Sequence, residues 1–304
     1  IEGITNPETV RAVERRVAEI DIDALIATGN LEEYIADDIH TAFPTLAYTE
    51  RPDRFSAGVV EGRVGLLIDG LPLGWLLPGT LSQFFKTPQD KSQGWMAASA
   101  LMVLRYLCML ITLFLPAVYI AAVTFHLEML PTELALSIIA AKQDVPFTTV
   151  FEVLLMLVAF EIIQEAGLRL PSSIGQTVSI LGGLVVGSAA VEARIVSPAV
   201  LIVVAVAGIA GYTMPSQDFA GALRIWRFGL AALASLAGMF GAAIGALLLI
   251  CHLASLESFG VAYLTPFAAN DGEQVEGHAV IRQPLPSVKL REAALKTQNR
   301  RNQR

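Results

Sequence analysis

Three carboxylates, Glu152, Glu161 and Glu165, fall in an otherwise apolar run from Pro146 to Ala166. An ionised group in hydrocarbon costs several kcal/mol unless it faces protein or water, so these side chains mark the positions where charge does work. Glu161 and Glu165 are four apart and share a helical face, and Glu152 lies about half a turn round from them. One reading turns Glu161 toward a wet lumen where it attracts cations, as acidic rings do in cation pores. The plainer reading pairs Glu165 with Arg169, four residues on, at the helix end marked by Gly167 and Pro171.

Small and polar residues give a second signal. Gly182, Gly183 and Gly187, with Ser188 and Ala189, make one narrow face, and Ala207/Gly211 and Gly241/Gly245 are small-xxx-small pairs. Such spacing lets helix backbones approach closely, either within the chain or between copies. The segment that carries Gln176, Thr177, Ser179 and Gly183 is the expected pore-lining helix, with Glu161 and Glu152 beside the ion path. Other charged residues have plainer readings. Glu192 and Arg194 sit at a solvated helix end, Arg105 snorkels to headgroups, and His126 with Glu128 lies in an interfacial loop without a His-Glu-x-x-His pattern. Cys108 and Cys251 each lie inside an apolar run and read as small hydrophobes. The four histidines are scattered, with no nucleophile–base set, phosphate-binding loop or metal cluster, so neither catalysis nor a cofactor is expected.

The elements that position these residues are spans. From about Val103 to Leu256 the chain is a succession of apolar, Gly/Ala-rich blocks, and about twenty apolar residues suffice to cross a bilayer. The 304 residues are 54% hydrophobic with a mean hydropathy of +0.58, above a soluble domain. Five candidate spans are Val103–Phe125 (kinked at Pro116), Pro146–Ala166, Ile174–Ile195, Pro198–Met214 and the longest, Phe228–Leu253, with a short interfacial or re-entrant run at Leu134–Ala141. Residues 1–102 hold 8 Lys/Arg against 15 Asp/Glu, whereas 255–304 hold 7 against 5. An acidic head argues against nucleic-acid binding, and a basic tail favours a cytoplasmic C-terminus. No export signal opens the chain, so the head is expected in the cytoplasm too. Ends on one side require an even number of crossings, which conflicts with five unless one candidate is broken or re-entrant or the short Leu134 run completes a sixth crossing with its neighbours.

The head reads as α+β. Asn6 caps a helix with Pro7 at its first position, Tyr48–Arg54 is a turn-prone charged loop, and two apolar runs flank Asp69-Gly70 as a hairpin. The opening on Ile1 reads as a start inside the first domain. The expected fold class is a membrane protein with a small α+β cytoplasmic domain (1–102), a polytopic α-helical transmembrane domain of four to six spans (103–256) and a partly disordered cytoplasmic tail (257–304).

The runs YTERPDR (48–54), EGRVGLLIDG (61–70), LPAVYIAAVTFH (115–126) and EMLPTELALSI (128–138) resemble the GerA family of spore germination proteins. So do the 40-residue run from Phe160 to Ala199 and HLASLESFGVAYLTPF (252–267). The likeness extends to about Phe267. One departure is Leu157 in LLML, where the family's LLME stretch has a glutamate, so any role of that glutamate does not carry over. The resemblance implies residence in the spore inner membrane and a homo-oligomeric ring that conducts monovalent cations. It also implies a transporter-like B subunit that senses nutrient and a lipoprotein C subunit as partners. The rival readings are a non-conducting scaffold and a secondary transporter, the latter disfavoured by the absence of an internal repeat.

Overall fold

The structure is a computed structural model that describes residues 1–23, 28–169, 186–267 and 280–302. It is mostly helical and divides into two compact units, one of 1–106, 214–222 and 250–304, the other of 107–213 and 223–249.

In the first unit, α1 (Pro7–Ala18) starts where the Asn6 side chain accepts the Glu8 N–H, as its sequence dictates. Its Val13 packs with Leu31 and Ile35 of α2 (Thr28–Ile35) in a core shared with Leu46, Trp75, Leu77 and Phe259. Strands β1 (Ala47–Thr49), β2 (Val64–Leu67) and β3 (Gly74–Leu77) form an antiparallel sheet in the order β1-β3-β2, with Val64 opposite Leu77 and Leu67 opposite Gly74. The Asp69-Gly70 hairpin is thus present. The Tyr48–Arg54 stretch is not one loop. β1 takes its first two residues, and α3 (Pro52–Glu61) begins at Pro52 and ends at Gly62, whose φ of 106° suits glycine.

Residues 280–302 lie on this unit. Arg291 donates to the Val60 and Asn299 carbonyls (2.9 and 2.8 Å), Gln298 N–H to the Ile4 carbonyl (2.9 Å), and Glu292 pairs with the buried Arg63 at 3.1 Å. Short helix α4 (Leu81–Phe85) adds Phe84 and Phe85 to a ring cluster with Phe43, Phe219 and Tyr263, and α5 (Pro88–Ser92) follows it. Arg105 grips the Asp90 carboxylate at 2.7 Å and the Phe85 carbonyl at 2.8 Å, so its guanidinium is anchored by protein groups where headgroups were expected.

The second unit contains residues 107–125 of α6 (Trp95–Phe125), then α7 (Thr132–Lys142), α8 (Thr149–Arg169), α9 (Pro198–Gly211) and most of Gln217–Ser255. Contacts fix the helix directions. Along α8 and α9, Glu152 meets Ser197 and Phe160 meets Gly208, so both run the same way. Along α6 and α9, Tyr119 bonds Ser197 while Thr112 donates to the Ala207 carbonyl at 3.2 Å, so these two run oppositely.

The longest expected span is not one helix. Backbone at Ala237 (φ −134°, ψ 17°) and Gly238 (φ 60°, ψ −139°) breaks the 39 residues of Gln217–Ser255. A Cβ on Gly245 would lie 2.6 Å from Leu230, fifteen residues earlier, and one on Gly241 would strike the Leu233 carbonyl. Fifteen residues of straight helix would separate those positions by about 22 Å. The chain therefore folds back as a helical hairpin with legs 217–236 and 239–255, about 30 and 26 Å long. The uniform hydrophobicity of the segment conceals the turn, which only a glycine with positive φ permits. Its tip lies at the far end of α6, since a Cβ on Gly238 would sit 2.9 Å from His126 and 3.1 Å from Phe125.

Candidate functional site

Two charged clusters stand inside the apolar second unit. The first lies between α8 and the hairpin's first leg. Arg224 and Arg227, three apart and thus on one face, both reach Glu161. Arg224 Nη1 is 3.2 Å from one carboxylate oxygen, and Arg227 Nη2 donates to the other. Arg224 also donates to Gln164 Oε1 at 3.4 Å, and Gln164 bonds the Tyr212 hydroxyl at the end of α9. The Arg227 side chain is 2% exposed and its Nε has no hydrogen-bond partner among the described residues, whereas Arg224 keeps 30% exposure. One carboxylate between two guanidiniums leaves a local charge of +1, with the excess on the better-solvated arginine.

The second cluster lies where α7, α8 and α9 begin or end. Glu152 is wholly buried. Its Oε2 accepts the Ser197 N–H at 2.8 Å, at the N-terminus of α9 where a carboxylate meets both a free amide and the helix dipole. Its Oε1 lies 3.5 Å from Lys142 Nζ, and Lys142 also reaches Thr149. Tyr119 bonds Ser197 from α6. This is a closed arrangement that ties four helices.

Of the residues expected beside an ion path, Glu161 and Glu152 thus stand in separate, internally paired clusters. Gln176, Thr177, Ser179 and Gly183 lie outside the described residues. Among the packing residues, fully buried Ala207 takes the Thr112 bond and Gly211 approaches Thr112, with its Cβ position at 3.5 Å. Gly187 faces Leu201 at 3.0 Å, and Gly241 and Gly245 form the seam between the hairpin legs. Glu165 is exposed on α8, and Arg194, expected near Glu192, pairs with Asp144 at 3.1 Å. Leu157, in place of the family's glutamate, is fully buried. Among the described residues, no group of His, Cys, Asp and Glu could hold a metal ion.

Arg224 and Arg227 escape the sequence analysis because they lie just before Phe228, where the fifth apolar run begins. Two arginines three apart at the head of an apolar run, with an unmatched Glu161 elsewhere, were the available signal.

A mostly helical chain with two long apolar segments and internally paired charges is of the kind that resides in membranes, and its sequence gives the class. Residues 1–294 match the family described as Bacillus/Clostridium GerA spore germination protein, and the chain belongs to that family. It is 42% identical to spore germination protein B1 of Bacillus subtilis (strain 168), over 96% of this chain and 60% of that protein. Spore germination protein KA of the same organism is 42% identical over 93% of this chain and 52% of its own length. The uncharacterized membrane protein YfkQ of that strain is 40% identical over 91% and 54%. The chain thus spans a little over half the length of these relatives. No solved structure matches it.

Proposed function

We propose that this chain is the membrane part of a spore germinant receptor subunit that assembles into a homo-oligomer and forms a nutrient-gated path for monovalent cations. Family membership over residues 1–294 carries this reading. It brings with it the transporter-like B subunit and lipoprotein C subunit as partners, the spore inner membrane as location, and a cytoplasmic head and tail.

The directions of the described helices are compatible with it: α6 runs opposite to α8 and α9, and the two legs of the hairpin run opposite to each other. Large exposed apolar side chains on this unit, such as Ile162, Ile202, Ile209, Leu236 and Phe240, are at least 63% exposed, a surface suited to acyl chains. Glu161 and Glu152, with Gln176, Thr177, Ser179 and Gly183, remain the proposed path residues. Gly187, Ala207, Gly211, Gly241 and Gly245 remain packing or oligomer contacts.

The rival is a non-conducting scaffold, favoured by one observation: both described candidate carboxylates are already paired. Cation release from spores whose sole copy carries Glu161→Gln, at matched protein level after a nutrient pulse, separates the two. An altered release rate or ion preference supports conduction near Glu161. Unchanged release removes Glu161 from the path and favours the scaffold.

A further inference from the structure

The first unit contains a feature that ion conduction does not use. A cavity of about 400 Å³ opens beside β1, with Tyr48, Glu50, Arg51, Arg54, Phe84 and Asp218 in its lining. Its four charges balance formally, but three of them are already met. Arg51 makes a two-pronged bond to Asp53 at 3.1 and 2.8 Å, and Asp218 receives the Tyr48 hydroxyl at the first turn of the hairpin's first leg, where helix amides also favour an anion. Glu50 is exposed to water. Arg54 alone is half-buried with no acceptor for its guanidinium among the described residues.

A guanidinium offers five N–H donors in a planar fork, and withdrawing them from water without acceptors is costly. Burial holds the Arg54 guanidinium below its ordinary range with no carboxylate offsetting the effect. Burial and Asp218 push the Tyr48 phenol up to about 12, so it remains a neutral donor at neutral pH. The cavity is of a size that holds small ligands, and Phe84 adds an apolar side chain to its lining.

We propose that the head carries a binding site for a small organic or inorganic anion, a carboxylate or phosphate, that Arg54 receives in the cavity beside β1. A planar carboxylate or a phosphate matches the fork of the guanidinium in a bidentate bond. The inference goes beyond the conduction reading and does not depend on it.

The test uses the purified full chain in detergent, with acetate, succinate and inorganic phosphate as probes at a fixed ionic strength of about 0.15 M to hold screening constant. Its readout is the thermal midpoint against anion concentration. At least one probe is expected to raise the midpoint saturably at millimolar concentration, since an anion that binds only the folded state stabilises it. Arg54→Gln is expected to weaken that response by about tenfold or more, equivalent to about 1.4 kcal/mol. Lys91→Gln, which removes an exposed cation outside the cavity, is expected to change it by less than about threefold. Should Arg54→Gln fail to fold, Arg54→Lys keeps the charge and loses the fork, and is expected to fold and bind several-fold more weakly. No saturable response to any probe, or an equal response in the Arg54 variants, overturns the proposal.

Discussion

The Glu161 cluster makes a quantitative prediction because its members differ in burial. Glu161→Leu removes the one carboxylate and leaves Arg227, 2% exposed, with no counter-charge. Breaking a buried pair in this way costs about 3–5 kcal/mol. Arg227→Met removes the buried cation and leaves Glu161 still bonded to Arg224 at 3.2 Å, so the loss is one charged hydrogen bond, about 1.5–3 kcal/mol. The double variant removes the buried charge and its partner together, and the remaining Arg224 keeps 30% exposure and is solvated. It is therefore expected to be more stable than Glu161→Leu alone, with a coupling energy of about 2–3 kcal/mol. Unfolding of the purified chain in mixed micelles of increasing SDS content, followed by the fluorescence of its three tryptophans, measures each corner of the cycle. If the single effects add to within about 0.5 kcal/mol, the two residues are not coupled and the description of the cluster is wrong.

Three further outcomes follow from the hairpin and the head. Gly238→Ala places a Cβ at φ 60° against His126 and Phe125 and is expected to cost about 1–3 kcal/mol in the same assay, with Gly238→Val worse; a neutral result would refute the tight turn. In a background with Cys108 and Cys251 replaced by Ala, an impermeant maleimide applied outside intact expressing cells is expected to label Leu236→Cys at the tip but not Gln217→Cys at the base. Equal labelling of both rules out a hairpin that crosses twice. For Asp90, burial alone would raise the carboxyl, but bonds from Arg105 and Thr87 outweigh it and hold the carboxyl below its ordinary value. A carboxyl lowered on folding stabilises above its unfolded pKa, near 4, and loses that contribution as pH falls through the folded value. Asp90→Asn is therefore expected to lower stability at pH 7 and to flatten its decline below about pH 4; an unchanged acid limb would count against the Asp90–Arg105 bond.

The sequence was most legible where chemistry is local. Asn6 and Pro7 mark the start of α1, and Asp69-Gly70 marks the β2–β3 hairpin, because caps and turns are specified by a few adjacent residues. Hydrophobicity marked the apolar blocks but not their internal direction. From Phe228 to Leu253 every residue type suits one long span, and only the backbone at Ala237 and Gly238 reveals two legs. The candidate site was half legible. Glu161 and Glu152 stood out as carboxylates in apolar runs, but their partners were invisible. Arg224 is 63 residues from Glu161, and the Ser197 amide is 45 from Glu152. Such distant pairings follow from helix packing, not from spacing along the chain.

The pairing of Glu161 changes how its substitution must be read. With two guanidiniums on one carboxylate, Glu161→Gln does more than delete a negative charge, because it exposes a local charge of +2 where there was +1. Slower cation release in that variant could arise from loss of an attracting carboxylate or from gain of a repelling field. Arg224→Gln separates the cases, because it shifts the same local charge from +1 to zero while Arg227 remains bonded to Glu161. If the cluster borders a cation path, the two variants must move release in opposite directions, Glu161→Gln slower and Arg224→Gln faster, with the difference shrinking as salt is raised. If the cluster is only a packing device between α8 and the first leg, both variants lower protein level or assembly, and release per surviving copy stays the same. Opposite signs at matched protein level require the charge itself to be felt by the ion, and a shared sign is incompatible with a cation path at Glu161.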